Sequence, residues 1–120
     1  MTTAHEDFET APWDVFLWMR QVRDSDLPSS TRLILLTMVT WLDNATGTCF
    51  PSLATIASGT GLSKSTVATH LRYAQEAGFI KRTRRLVGNE HTSTLYQARI
   101  LAGYTPSKGP GITLVHDDYV

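Results

Sequence analysis

Ser52-Leu53-Ala54-Thr55-Ile56-Ala57-Ser58-Gly59-Thr60-Gly61-Leu62-Ser63-Lys64-Ser65-Thr66-Val67-Ala68-Thr69-His70-Leu71 sets the fold of this chain. The stretch divides into a short helix opened by Pro51-Ser52 and running to about Ser58, a tight turn at Gly59-Thr60-Gly61, and a longer helix capped by Ser63. Two helices that cross steeply on so short a turn need three things. A small residue must face the partner helix where the axes approach, and Ala57 supplies it. The turn needs a residue free to take positive φ, and Gly61 supplies that. Apolar side chains must fill the angle, a task for Ile56, Leu62, Val67 and Leu71. Val67, Leu71 and Ala74 share one stripe of the longer helix, Lys64 to Ala77, which Gly78 ends in the left-handed conformation.

The opposite face of that helix carries Lys64, Ser65, Ala68, Thr69 and Arg72. Small residues let a helix enter a nucleic-acid groove, while hydroxyls and cations meet base edges and phosphates. The helix N-terminus itself favours a phosphate. Ser63, Lys64, Ser65, Thr66, Thr69, His70 and Arg72 are therefore candidate DNA-binding residues. The plainer alternative is a solvated polar face, and the adjoining turn favours DNA contact. His70 stands equally between a base contact and packing against the second helix, which runs from Ser29 to about Asp43. For Tyr73, packing is favoured over a phosphate.

C-terminal to the helix, Lys81-Arg82-Thr83-Arg84-Arg85 follows directly on Gly78-Phe79-Ile80. Phe79–Leu86 and Thr94–Leu101 read as the strands of a hairpin, with residues 87–93 as its loop. Side chains alternate along a strand, so this run puts cations on both faces and cannot be a core strand. Basic residues also protect an exposed sheet edge. Directly after a groove-entering helix, contact with the DNA backbone is the favoured role for Arg82, Arg84 and Arg85. His91, in the loop, is open between a phosphate or minor-groove contact and plain solvent exposure. Tyr96, Ala98 and Ile100 alternate on the return strand and close the core; Arg99 faces a phosphate or solvent.

N-terminal to the decisive stretch, Thr10 as cap and Pro12 in the first turn predict a helix at about 12–23. Val15, Trp18, Met19 and Val22 form its stripe. A second helix runs from Ser29 to about Asp43 and is apolar nearly all round, so it must be covered on more than one side. The first helix and the helix pair are the expected covers. Asn44–Thr48 is a turn and Cys49-Phe50 a short strand. Trp13, Trp18 and Trp41 belong to the core or a dimer interface. The fold class is mainly α with a small β-hairpin, a helix-turn-helix of three to four helices plus a wing. Residues 1–9 are expected to be a disordered acidic N-terminus, 10–101 the domain, and 102–120 a flexible tail in which Ile112–Val115 could form a short docking strand.

Net charge is zero over 120 residues, but its distribution is lopsided. Residues 1–30 hold two arginines against six carboxylates, whereas residues 61–100 hold seven cations against two. Such asymmetry bears on partners more than the sum does. Cys49 is the single cysteine, which excludes an internal disulfide and a cysteine zinc cluster and fits a small buried hydrophobe. The longest apolar run, around Leu33–Leu42, is broken by Thr37 and Thr40 and is too short to cross a bilayer. The N-terminus lacks the basic start of a secretory signal, which points to the cytoplasm. His5, His70, His91 and His116 are scattered without metal spacing, and Gly59-Thr60-Gly61 lacks the lysine-serine of a phosphate loop. Neither catalysis, nor a cofactor, nor a metal is expected.

Pro51-Ser52-Leu53, Ile56-Ala57, Thr60-Gly61-Leu62-Ser63-Lys64-Ser65-Thr66-Val67, Leu71 and Glu76-Ala77-Gly78-Phe79-Ile80 together resemble the winged helix-turn-helix domains of phage and plasmid replication proteins and related regulators. MarR- and GntR-type repressors share the broader pattern. The tryptophan-containing first helix and the Asp26-Leu27-Pro28 helix start are also similar to actinobacterial mobile-element proteins of this group. The resemblance covers roughly residues 12–101. It implies binding to double-stranded DNA, in transcriptional regulation or replication of a mobile element. One departure stands out: family members often carry two basic residues after the capping serine, where this chain has Lys64 then Ser65. The alternative is a winged-helix module that docks on a host or phage protein. A homodimer offering two half-sites is a further expectation.

Overall fold

The structure, a computed structural model, describes residues 9–87 and 90–107, with only the backbone of residues 86, 87 and 90–92. The acidic segment before Glu9, the strand expected at Ile112–Val115 and the side chain of His91 lie outside the described residues.

The first helix, α1, spans Val15–Asp24 rather than 12–23. Its cap is Asp14, whose carboxylate accepts from the backbone N–H groups of Phe16 and Leu17 at 3.0 and 3.2 Å. Thr10 does not cap. With Ala11 it forms a two-residue strand, β1, antiparallel to β5 at Ile100–Leu101. Two local effects account for the correction. A carboxylate suits a helix N-terminus better than a hydroxyl does, and proline drives the residue before it, Ala11, into extended backbone.

Helix α2 spans Ser29–Met38, and a 3₁₀ turn at Val39–Trp41 replaces the last turn expected before Asp43. Thr31, Ile34, Leu35 and Met38 are its buried residues, spaced as one helical stripe. The helix is not covered all round. Leu33 is 43% exposed, Leu36 and Trp41 are also exposed, and Phe16 of α1 is 64% exposed. Helix α1 lies beside α2 but leaves a cleft lined by Phe16, Met19, Arg20, Arg23 and Leu36.

Helix α3, Leu53–Thr60, and helix α4, Lys64–Glu76, repeat one capping device. Ser52 accepts from Thr55 N–H and Ser63 accepts from Thr66 N–H, at 3.0 and 3.1 Å. Gly61 joins the two helices at φ +79°, in the left-handed region that glycine tolerates. A side chain there would meet nothing within 4 Å, so the constraint on Gly61 is conformational and not steric. Gly59 is the reverse case: a Cβ would stand 3.0 Å from the Trp41 ring, so the close approach to the preceding turn of chain occurs there.

The three-stranded sheet has the order β2 (Thr48–Cys49), β4 (Glu90–Ala98), β3 (Ile80–Val87), all antiparallel. The hairpin is longer than the sequence predicts, for most of the expected 87–93 loop is strand. Only Gly88-Asn89 has turn-forming chemistry, and Glu90–Ser93 contains no strand breaker. A register shift between Arg85 and Leu86 absorbs one residue as a bulge and lets pairing continue to Val87–Glu90.

The core joins all these elements: Trp18 and Val22 of α1, Ile34, Leu35 and Met38 of α2, Ile56 of α3, Val67, Leu71 and Ala74 of α4, and Ile80, Tyr96, Ala98 and Ile100 from the strands. Trp18 is fully buried, and its indole N–H donates to the Phe79 carbonyl at 3.1 Å. Trp13 lies partly buried over Gly47 and donates to the Asn44 carbonyl. Buried Gln21 is satisfied at both ends, donating to the Arg99 carbonyl and accepting from Leu101 N–H. Cys49 is buried, and desolvation pushes its thiol up to about 11.

The tail placed as flexible from residue 102 starts out docked. Ala102 N–H donates to the Glu9 carbonyl, and Tyr104 OH and the Ser107 N–H and hydroxyl all donate to the Asp24 carboxylate. Arg23 completes the clamp at 2.8 Å from Asp24 and 3.1 Å from the Ser107 carbonyl. The Arg23 guanidinium, then the Ser107 and Tyr104 donors, hold Asp24 well below the usual carboxylate range. Burial, then the bond to Asp24, pushes the Tyr104 phenol up to about 12. Asp24, with a depressed folded-state pKa, strengthens the clamp fully above its unfolded value and loses that contribution as pH falls through the folded one. Tyr104, with a raised pKa, contributes below its unfolded value and is lost as pH rises through about 12. Amide exchange at Ser107 followed from pH 7 to pH 2 should accelerate beyond its intrinsic pH dependence only at the acid end, and Asp24→Asn should remove that acid step.

Candidate nucleic-acid interface

Apart from His91, whose side chain lies outside the described residues, each residue expected to touch DNA has a definite place. Lys64 and Ser65 are exposed on the first turn of α4, and Arg72 is exposed two turns further on. Thr69 is half-buried on the same helix. Ser63 and Thr66 are committed to the cap: besides the Thr66 N–H bond, the Ser63 hydroxyl donates to Thr66 Oγ1 at 2.9 Å. They shape the helix start and leave little hydroxyl capacity for a ligand. His70 turns inward. Its Nδ1 is 2.7 Å from Thr31 Oγ1 on α2 and its ring meets Tyr73 edge-on, so the ring packs against α2. Arg72 lies 3.8 Å from Glu76 and over the Tyr73 ring, both at the surface, where such pairs hold a side chain weakly.

The hairpin arginines divide three ways. Arg82 is half-buried and tied to α4, since its backbone N–H and Nε both donate to Gln75 Oε1, at 3.1 and 2.9 Å. Arg84 is exposed. The Arg85 guanidinium sits 4.9 Å from the centre of the Phe50 ring. Of the expected trio, Arg82 ties hairpin to helix, while Arg84 and Arg85 are exposed.

Lys64 and Arg84 line one open groove of about 660 Å³ between the start of α4 and the hairpin. Its other walls include Phe50, Leu53, Ser93 and Thr94. Thr69 lies outside this groove, further along α4. Sequence reasoning missed Phe50 and Ser93. Strand alternation carries a signal for the first: with Cys49 buried, its neighbour Phe50 must point outward. The sequence reads Ser93 as loop, and the structure instead places it on β4, paired with Arg85.

Among the described residues no group of three or more His, Cys, Asp or Glu side chains could hold a metal ion, and no helix is long and apolar enough to cross a membrane.

No curated protein and no solved structure matches this chain. Residues 25–80 match the family model of a helix-turn-helix domain, a span that takes in α2, α3, α4 and the first residue of β3. Helices α3 and α4 with Gly61 between them are the motif, the β3–β4 hairpin completes a fold consistent with a winged helix, and the chain therefore carries a helix-turn-helix domain, a kind of domain that points to DNA as partner.

Proposed function

We propose that the protein binds double-stranded DNA in a sequence-specific manner, with α4 in the major groove and the β3–β4 hairpin against the backbone. The observation that carries this is that Lys64 and Arg84, from separate elements, line one groove. Ser65 and Thr69 are the side chains of α4 that would reach base edges; Lys64, Arg72, Arg84 and Arg85 would supply phosphate contacts. The resemblance of the Pro51–Ile80 motifs to mobile-element proteins makes a phage or plasmid regulator or replication factor the favoured setting. The exposed Phe16, Leu33 and Leu36 support a second copy as partner, giving two half-sites; the solution mass with and without DNA checks it.

Selection from random duplex oligonucleotides, followed by gel-shift titration at low salt, tests the proposal. A defined consensus is expected, and Thr69→Ala should change the preferred base at one position while leaving non-specific affinity within about twofold. Absence of duplex binding at low salt, with nuclease-resistant protein partners recovered instead, would replace DNA binding by the protein-docking alternative.

A further inference from the structure

The groove between α4 and the hairpin is lined by both cationic and apolar side chains. Phe50 is 58% exposed there, with Pro51, Leu53 and Ala54 beside it, and contributes nothing to the core. Arg85 lies over the ring. A surface that only held phosphates would gain nothing from a phenyl group, whose negative face repels an anion. The fitting occupant is anionic where it meets Lys64 and Arg84 and apolar where it meets Phe50.

A DNA strand has that character. Inside a duplex the faces of the bases are stacked, so the apolar group that a base pair presents in the major groove is the C5-methyl of thymine. With the Arg85 guanidinium over it at 4.9 Å, the Phe50 ring is not open on both faces, which suits contact with an edge and not insertion between bases. We propose that Phe50 is a specificity-determining residue outside α4 that reads one thymine of the target through its C5-methyl. This inference rests on the duplex-DNA reading above.

The experiment uses the full chain and a selected duplex in which each thymine is replaced in turn by uracil, which removes the methyl alone. Burial of one methyl corresponds to about fourfold in affinity, so one such position should weaken wild-type binding by about that factor. Phe50→Ala should bind the thymine duplex about fourfold more weakly and no longer distinguish the two bases. Phe50→Leu, which keeps an apolar group, should retain part of the discrimination. Because the ring is exposed, the melting temperature of Phe50→Ala should match wild type. Tight duplex binding with indifference to every replacement would overturn the inference while leaving DNA binding intact. So would a Phe50→Ala variant that keeps full discrimination, or one that loses equally on both duplexes, which would assign the ring to the deoxyribose. Failure to bind any duplex would overturn both.

Discussion

Trp18→Ala should leave the domain close to unfolded at room temperature. The indole is fully buried at the junction of α1 with the start of the hairpin. Removing a buried aromatic ring costs about 3–5 kcal/mol, because neighbours collapse only partly into the space. The Phe79 carbonyl also loses one of its two donors, keeping the Arg99 N–H, a further cost of about 0.5–1.5 kcal/mol for the hydrogen bond. Domains of this kind have about 5–15 kcal/mol in total, so most of the reserve is used. Urea denaturation followed by circular dichroism measures the effect. Trp18→Phe keeps most of the packing and should cost about 1–3 kcal/mol, from the lost indole hydrogen bond and the smaller ring. A Trp18→Ala variant within about 1 kcal/mol of wild type would mean that α1 is dispensable to the core, contrary to the magnitude expected for a buried ring.

The second large effect is electrostatic. Counting Lys64, Arg72, Arg84 and Arg85 as phosphate contacts gives about four, and log affinity should fall against log salt with a slope near −3.5. Between 50 and 200 mM salt that is a loss of about a hundredfold. The double variant Lys64→Ala/Arg84→Ala should flatten the slope by about two and weaken binding at low salt to all sequences alike. Arg82→Ala is the control. Its guanidinium is held by Gln75, so it should leave the slope nearly unchanged and show its effect in thermal stability. Equal slope changes from Arg82→Ala and Arg84→Ala would refute the division of labour among the hairpin arginines. Sequence alone, counting Arg82, leads to a steeper slope of about −4 to −5.

That difference shows where sequence stops being informative. The turn at Gly61, the two serine caps, Gly78 and the Val67–Leu71–Ala74 stripe are local, and each was legible because its chemistry is decided within a few residues. The alternation of Tyr96, Ala98 and Ile100 into the core was legible for the same reason. The errors arise where a distant residue decides. Thr10 looks like a cap until Asp14 is seen to fill that place and Ile100–Leu101 to claim β1. The tail beyond Leu101 has no periodicity, yet Asp24 holds Tyr104 and Ser107 by hydrogen bonds that no pattern announces. Helix α2 carries apolar residues on nearly every side, and composition cannot say that Leu33 and Leu36 stay uncovered. Within the candidate interface, residue types on α4 were readable but their commitments were not. His70 and Arg82 have the right chemistry for DNA and are occupied inside the protein, by Thr31 and Gln75.

The Gln75 oxygen that receives two hydrogens from Arg82 has a mechanical meaning. It ties the root of the hairpin to the last turns of α4, which favours the two moving as one. A target would then meet a jaw whose opening is largely set by folding. Little order then remains to be lost at the moment of contact, and a target whose curvature or groove width departs from that gape must itself bend to fit.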